Sequence, residues 1–326
     1  MKFQLLNFQR TASESLIAEI KKAQARYDND PELLGAVVLE AATGAGKTVI
    51  ATSVIEQLIF GSDFTDPVEG TTVLWVTNDP SLNAQTARKM QEASERISDI
   101  RLIGQGASFD AETFEAGAIY FLNTQAASAS ARITKRSDTQ QFTIWDTIAN
   151  TVANRGSRFI VIVDEAHYGV TEKPGGSPTV INKIINGESP IPVFIGISAT
   201  AQRLNKALQQ QDNRFRRNVL VPIEEVRSSG LVKDRIVLAP AATKGEVIAD
   251  TTFVRLAVQK TLEFEQRWEV YAGQQGEQPV KPALVVQLPD QRSEDGEFLE
   301  LVRSVIDAIN QEWPGLTSTN IVHTFA

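Results

Sequence analysis

Cysteine is absent from this 326-residue chain, and histidine occurs only at His167 and His323. The first absence excludes a disulfide framework, and the two together exclude a Cys/His zinc centre. Positive charge is not in surplus either: 32 lysines and arginines face 40 acidic residues, a net charge of −8. That argues against a generally basic coat for polyanions, although a few cations suffice to line a local groove. Long apolar runs are missing. Phe159–Val163 is among the longest and is far too short to span a bilayer, and the opening MKFQLLNFQRT has no continuous apolar stretch of the signal-peptide kind. The expectation is a soluble, cytoplasmic protein with no membrane partner. Glycine (20) and proline (13) are near ordinary usage, and no internal repeat is visible, so the chain is neither low-complexity nor a repeat array.

The length suits two domains and a sizeable core. Periodicity predicts an amphipathic helix over 13–27, a strand over 36–39, a helix over 48–60, a strand over 72–76 and a helix from about Ser81. Strands follow over 118–122, Phe159–Val163 and 192–197, with a helix over 142–153. Strands that are apolar at every position are buried on both faces, which marks a parallel sheet covered by helices. The fold class is therefore α/β, a doubly wound parallel sheet. Beyond Ile197 the alternation weakens. Residues 222–239 mix β-like pieces with a turn at 228–230; a long helix is expected over 252–272, packed down by Trp268; residues 273–281 have linker composition. A strand over 283–288, a helix over 297–313 and a further strand over 320–325 complete the expectation. Trp75 and Trp145 lie in apolar periodic segments and are assigned to the core.

Residues 41–48 read Ala-Ala-Thr-Gly-Ala-Gly-Lys-Thr between an expected strand and helix. Glycines let the backbone turn so that successive N–H groups point at a phosphate, and the helix N-terminus favours negative charge. Lys47 would neutralise β- and γ-phosphates, Thr48 would coordinate Mg²⁺, and Thr43, Gly44, Ala45 and Gly46 would form the cradle. Ala41 stands where the general pattern has its first glycine. A Gly-x-Gly-Lys-Ser/Thr run arises by chance in about one chain in a hundred of this size. A glycine-rich turn with an exposed lysine is the plainer alternative, and the flanking strand and helix argue against it.

The strand Phe159–Val163 runs into Asp164-Glu165-Ala166-His167. Carboxylates at the C-terminal end of a buried parallel strand face the crevice where open α/β sheets bind ligands. Asp164 fits a second Mg²⁺ contact, and Glu165 is placed to orient or deprotonate an attacking water. His167 suits a Mg²⁺ site poorly as a ligand, because that ion prefers oxygen. It fits better as a hydrogen-bonding link to another strand end, where Ser198-Ala199-Thr200 offers two hydroxyls.

Taken in order and spacing, residues 41–48, 164–167 and 198–200 resemble motifs I, II and III of superfamily 2 helicases. The Asp-Glu-Ala-His tetrad and Leu231-Val232-Lys233-Asp234 resemble most the helicase subunit of type III restriction enzymes and its DEAD/DEAH relatives. The resemblance covers about 1–240 well. It implies ATP and Mg²⁺ as cofactors and a RecA-like ATP-binding domain over 1–240, a helical linker over 241–281 and the incomplete start of a second RecA-like domain over 282–326. It also implies catalytic roles for Lys47, Asp164, Glu165 and His167, and a coupling role for Ser198, Ala199 and Thr200.

By the same resemblance Gln9 reads the adenine edge, since an amide can donate and accept at once; a polar residue in a first helical turn is an equal alternative. Thr77, Asn78 and Gln85, with Thr124 and Gln125 at another strand end, would touch the backbone of a nucleic acid, DNA rather than RNA, where phosphate contacts position without reading sequence. Ordinary turn chemistry is their alternative. Relatives complete the ATP cleft with a second-domain arginine. No Gln-x-x-Arg-x-x-Arg run lies near the C-terminus, and no Glu-x-Lys follows Pro289-Asp290 to make a metal-dependent nuclease. Modification or nuclease subunits would be partners. Two functions remain: the ATPase half of a DNA helicase or translocase, inactive in hydrolysis as this fragment, or a nucleotide-gated binding module without turnover.

Overall fold

Each fully apolar run in the first two hundred residues is a strand with both faces covered. The computed structural model describes residues 1–104, 109–128, 132–137, 140–166, 179–208, 212–231, 250–288, 296–314 and 316. Contacts divide the chain into two units, Met1–Arg235 and Ile236–Ala326. In the first, the order is α1 (Asn7–Asn29), β1 (Leu34–Glu40), α2 (Lys47–Phe60), β2 (Thr72–Thr77), α3 (Pro80–Ala93), β3 (Ile100–Leu102), β4 (Ile119–Asn123), α4 (Ile144–Arg155), β5 (Phe159–Val163), α5 (Val180–Asn186), β6 (Val193–Ser198), α6 (Gln202–Leu208), β7 (Arg214–Leu220) and α7 (Ile223–Ser228).

All pairings are parallel, and the strands stand in the order β3-β4-β2-β5-β6-β1-β7. Successive residues of a strand point to opposite faces, so each strand feeds two cores. Val37, Leu39, Val73, Trp75, Ile160 and Ile162 pack with Leu16, Ile20, Ile50 and Leu58 of α1 and α2. Val38, Leu74, Val76, Val161 and Val163 pack on the other side with Ile144, Ile148, Ile184 and Leu204. Two apolar layers sandwiching a parallel sheet are the doubly wound, RecA-like α/β fold, and each buried large side chain contributes about 1.5–3 kcal/mol. Helix α1 lies so close to the sheet that a Cβ on Gly35 would sit 2.4 Å from Ala23 Cβ. Gly35 is therefore required by approach rather than by backbone conformation.

Sequence expectation and structure part in several places. Strand β7 reads Arg-Phe-Arg-Arg-Asn-Val-Leu and has no apolar alternation, because it is the sheet edge and pairs with β1 alone. The β-like stretch at the start of 222–239 is instead a helical turn, α7, which buries Val226; residues 232–249 lie outside the described set. Helix α1 begins six residues earlier than the periodicity from 13 suggests, held at its start by Gln9.

In the second unit, α8 (Asp250–Gln275) packs on α9 (Gly296–Glu312) through Val254, Val258, Val305 and Ala308. The expected strand over 283–288 is extended but unpaired: Leu284, Val286 and Leu288 turn inward to this cluster while Val285 is exposed. A strand is defined by its neighbour, and among the described residues it has none. Trp268 does not pack α8 down; it is 42% exposed and stacks with Tyr271. Trp75 is fully buried and Trp145 partly so, as expected. The expected strand over 320–325 lies outside the described residues.

Candidate nucleotide site

Strand order explains why three distant motifs meet. β5, β6 and β1 are consecutive neighbours, so the segments leaving their C-terminal ends lie side by side: Asp164-Glu165, Ser198-Ala199-Thr200 and the 41–48 loop. The middle segment ties the outer two together. Ser198 O accepts from Ala41 N–H at 3.1 Å, and Ile197 O accepts from Ala166 N–H at 2.9 Å. Glu40, which carries no motif signal, joins them: its Oε1 accepts from Ala201 N–H at 3.3 Å. Ser198 is buried, and its Oγ donates to Thr200 O and accepts from Thr200 N–H, closing a tight turn. Thr200 and Ala199 therefore sit on a brace between loop and acidic strand end.

The 41–48 loop has the conformation that its glycines permit. Gly44 has φ 87° and Gly46 φ 77°, both left-handed, and Gly46 caps the N-terminus of α2. Alternation of this kind turns successive N–H groups into one concavity, and a free helix N-terminus adds its partial positive charge. Thr43 and Gly44 are exposed, Ala45 is buried, and Lys47 and Thr48 occupy the first turn of α2. Lys47 Nζ donates to Ala41 O at 3.4 Å and lies 3.7 Å from Glu165 Oε1. Its side chain is 10% exposed, so the ammonium is held within the site.

Burial pushes the Asp164 carboxyl above the ordinary carboxylate range, against the N–H of Glu165 donating to Oδ1 at 2.9 Å. Glu165 has φ 47°, the sole positive value among described non-glycine residues. A residue with a Cβ in this region costs about 1–2 kcal/mol, and such strain collects where a side chain must be aimed. His167 lies outside the described residues, as do Val232, Lys233 and Asp234.

Gln9 is brought to the loop. It is buried, its Nε2 donates to Ala45 O at 3.2 Å, and its Oε1 accepts from Leu6 N–H at 3.1 Å. A Cβ on Gly46 would meet Gln9 Nε2 at 2.5 Å, so glycine is needed there twice over, for φ and for space. Beside the first turn of α1 a cavity of about 660 Å³ opens, lined among others by Leu5, Asn7, Phe8, Arg10, Glu225 and Ser229.

The other expected contacts divide. β4 neighbours β2, so the two polar strand ends are adjacent: Thr124 N–H donates to Thr77 O at 2.9 Å, and Thr124 Oγ1 to Asn78 O at 3.5 Å. Thr77 itself is buried, its hydroxyl donating to Asp79 O and Asn83 Oδ1 and so committed to the turn into α3. Asp79 caps α3 and is held below the usual carboxylate range by the hydroxyl and N–H of Ser81. Asn78 is half-buried, while Gln85 and Gln125 are exposed. One Gln-x-x-Arg-x-x-Arg run does exist, at residues 211–217. Its central Arg214 starts β7, at the far end of the sheet, and donates to Gly35 O, Ile191 O and Ile185 O inside the core. It serves the fold.

Among the described residues no helix is long and apolar enough to cross a membrane, and no cluster of His, Cys, Asp and Glu could hold a metal on side chains alone. The chain matches the family model described as "Type III restriction enzyme, res subunit" over residues 2–203. No curated protein matches. Among solved structures, a nuclease-deletion mutant of the Type ISP restriction-modification enzyme LlaGI in complex with a DNA substrate mimic is similar at 13% identity and TM-score 0.39, covering 81% of this chain and 22% of that one. The Hef helicase domain of Pyrococcus furiosus is similar at 16% and 0.37, covering 94% and 53%. The large terminase of bacteriophage HK97 follows at 15% and 0.34, covering 67% and 39%. The chain thus spans about a fifth to a half of the length of these proteins. Because the family match takes in every strand of the sheet except β7, the chain belongs to the type III restriction enzyme res-subunit family.

Proposed function

We propose that the first unit binds ATP with Mg²⁺ and is the N-terminal ATP-binding half of a DNA helicase or translocase motor. The observation that carries this reading is the meeting of Lys47 and Glu165, 3.7 Å apart, across the ends of β1 and β5. A turn with an exposed lysine would not place its ammonium between a left-handed glycine cradle and the half-buried Asp164-Glu165 pair. The residues fit the group: two positive-φ glycines shape an anion-sized concavity, and Asp164 and Thr48 supply the hard oxygens that Mg²⁺ prefers. Bound Mg²⁺ with ATP would supply the phosphoryl group and neutralise charge developing on it.

The chain's own residues do the rest. Loop N–H groups between 43 and 48, other than that of Ala45, which donates to Ala42 O, would hold the phosphates together with Lys47. Glu165 orients a water and accepts its proton, while Asp164 keeps the metal side of the site anionic. Gln9 steadies the loop through Ala45, and by releasing Ala45 O and Leu6 N–H it would offer its amide to an adenine edge. The end of β6 would pass a shift at the acidic segment to the loop, since Ile197 O bonds Ala166 N–H and the next carbonyl, Ser198 O, bonds Ala41 N–H. Asn78, Gln85, Thr124 and Gln125 form the polar face offered to a nucleic-acid backbone, with DNA the preferred partner. The intact Lys47, Asp164 and Glu165 favour turnover over a binding module that never hydrolyses.

Lys47→Ala tests the reading. Removing one charge-assisted contact to phosphate costs about 1.5–3 kcal/mol, so affinity for Mg-ATP is expected to fall by at least tenfold in a titration with a fluorescent ATP analogue. Equal affinities of wild type and variant would refute it.

A further inference from the structure

The opposite end of the sheet carries a second concavity. A cavity of about 610 Å³ opens where β2 and β5 begin, lined by Gln24 and Asp28 of α1, Val68 and Glu69 before β2, and the turn from Ala153 to Arg158. Two arginines project from that turn. Arg155 donates its Nε–H to Phe114 O at 3.1 Å, and Arg158 donates its Nε–H to Arg155 O at 3.2 Å. These bonds fix the two side chains by their Nε atoms and leave the terminal nitrogens uncommitted. Among the described residues neither guanidinium has a carboxylate within ion-pair distance, although Asp28 and Glu69 line the same cavity.

Both terminal groups converge on Gly70. A Cβ built there would lie 3.6 Å from Arg158 Nη1 and 3.8 Å from Arg155 Nη1. Two like charges brought to the same glycine repel, and an anion between them would relieve that repulsion. The end of α4 accounts for one cation, since Arg155 occupies its last turn and complements the helix dipole. It does not account for the second, brought to the same point by a separate bond.

We propose that Arg155 and Arg158 form an oxyanion site, distinct from the nucleotide site and at the other end of the sheet, for the phosphate of a small phosphomonoester. Planar guanidinium forks match phosphate oxygens in pairs, whereas two lysines would offer only point charges. The carboxylates of Asp28 and Glu69 select the ligand's size and character. They oppose a passing run of phosphates, which sets nucleic acid aside, and they accept from hydroxyl or amino groups on the remainder of a compact ligand. Gln24 is already committed, its Nε2 donating to Ser157 O at 3.1 Å, and so braces the turn that carries the arginines.

The probe is inorganic phosphate, titrated by calorimetry into the full 326-residue chain without Mg²⁺. The Lys47→Ala background weakens phosphate binding at the 41–48 loop, and the proposal does not depend on what that loop binds. Lys47→Ala protein is expected to bind one phosphate, and adding Arg158→Gln is expected to weaken it at least tenfold, with Arg158→Lys intermediate. Arg158→Gln is the decisive variant because Arg155 also holds Phe114 O; a matching melting temperature certifies its fold. Phosphate affinity indifferent to Arg158 would overturn the site. A loss of duplex-DNA affinity in Arg158→Gln, with phosphate binding unchanged, would assign the pair to a nucleic-acid backbone and overturn the small ligand.

Discussion

Asp164 sits where burial works against its own charge. Its carboxyl is raised above the ordinary range chiefly by desolvation, so the folded, nucleotide-free chain carries a cost at neutral pH that the unfolded chain does not. At a pH below the ordinary value of 3.8 both states are protonated and the cost is absent; it grows as pH rises through the raised value and is complete above it. Asp164→Asn removes the charge while keeping the acceptor oxygen for Glu165 N–H. The variant is therefore expected to melt at a higher temperature than wild type at pH 7. That gain disappears as pH falls toward 3.8, while Mg²⁺-dependent nucleotide affinity drops at every pH. Melting curves with and without Mg-ATP read both effects, and a variant less stable than wild type at neutral pH would show that the carboxylate is held by partners stronger than burial. On the proposed reading, the residue that costs stability is the one that would face the divalent ion.

At the scale of elements, α4 shows how a polar turn is fixed from sequence. Thr143 Oγ1 accepts from Asp146 N–H at 3.1 Å, and Asp146 Oδ2 accepts from Thr143 N–H at 2.9 Å, a reciprocal cap. The Arg136 guanidinium, and after it the Thr143 N–H, hold the Asp146 carboxyl down at about 2. Its stabilisation is full above the unfolded value of 3.8 and is lost as pH falls through 2. Arg136 is largely exposed, so screening limits the pair, and the cap dominates: Asp146→Asn is expected to cost about 1 kcal/mol at pH 7 and nothing below pH 2. Urea titrations across that range would expose a pH-independent difference, which would move the effect from the charge to packing.

Elements were legible in proportion to how far their own residues decide them. β1, β2, β4, β5 and β6 are apolar on both faces and could be read directly. β3 has three residues and β7 carries Arg214, Arg216 and Arg217, and only a neighbour makes either a strand. Residues 283–288 alternate as a strand should and have no partner to become one. In the site, the loop and the acidic pair were readable as local patterns. Glu40, the burial of Thr77 and the double commitment of Gln9 depend on which strands are adjacent, which no local pattern states.

For the whole molecule, the decisive fact is that every motif residue of the proposed site belongs to the first unit and none is an arginine. Lys47, Thr48, Asp164 and Glu165 can hold Mg²⁺-nucleotide and place a water from one side. In related NTPases an arginine reaching the transferring phosphoryl group contributes about 10³–10⁵ in rate, equivalent to about 4–7 kcal/mol of barrier. Arg214, in the one run that matches an arginine-finger pattern, is buried at the far end of β7 with its guanidinium bonded to three carbonyls, and burial lowers it to about 10. It cannot turn to the site without unpairing those carbonyls. On the proposed reading the 326-residue chain binds Mg-ATP but releases phosphate slowly, and single- or double-stranded DNA stimulates it little. Steady-state phosphate release with and without each DNA measures this. Robust DNA-stimulated turnover would mean that a cation outside these motifs completes the site.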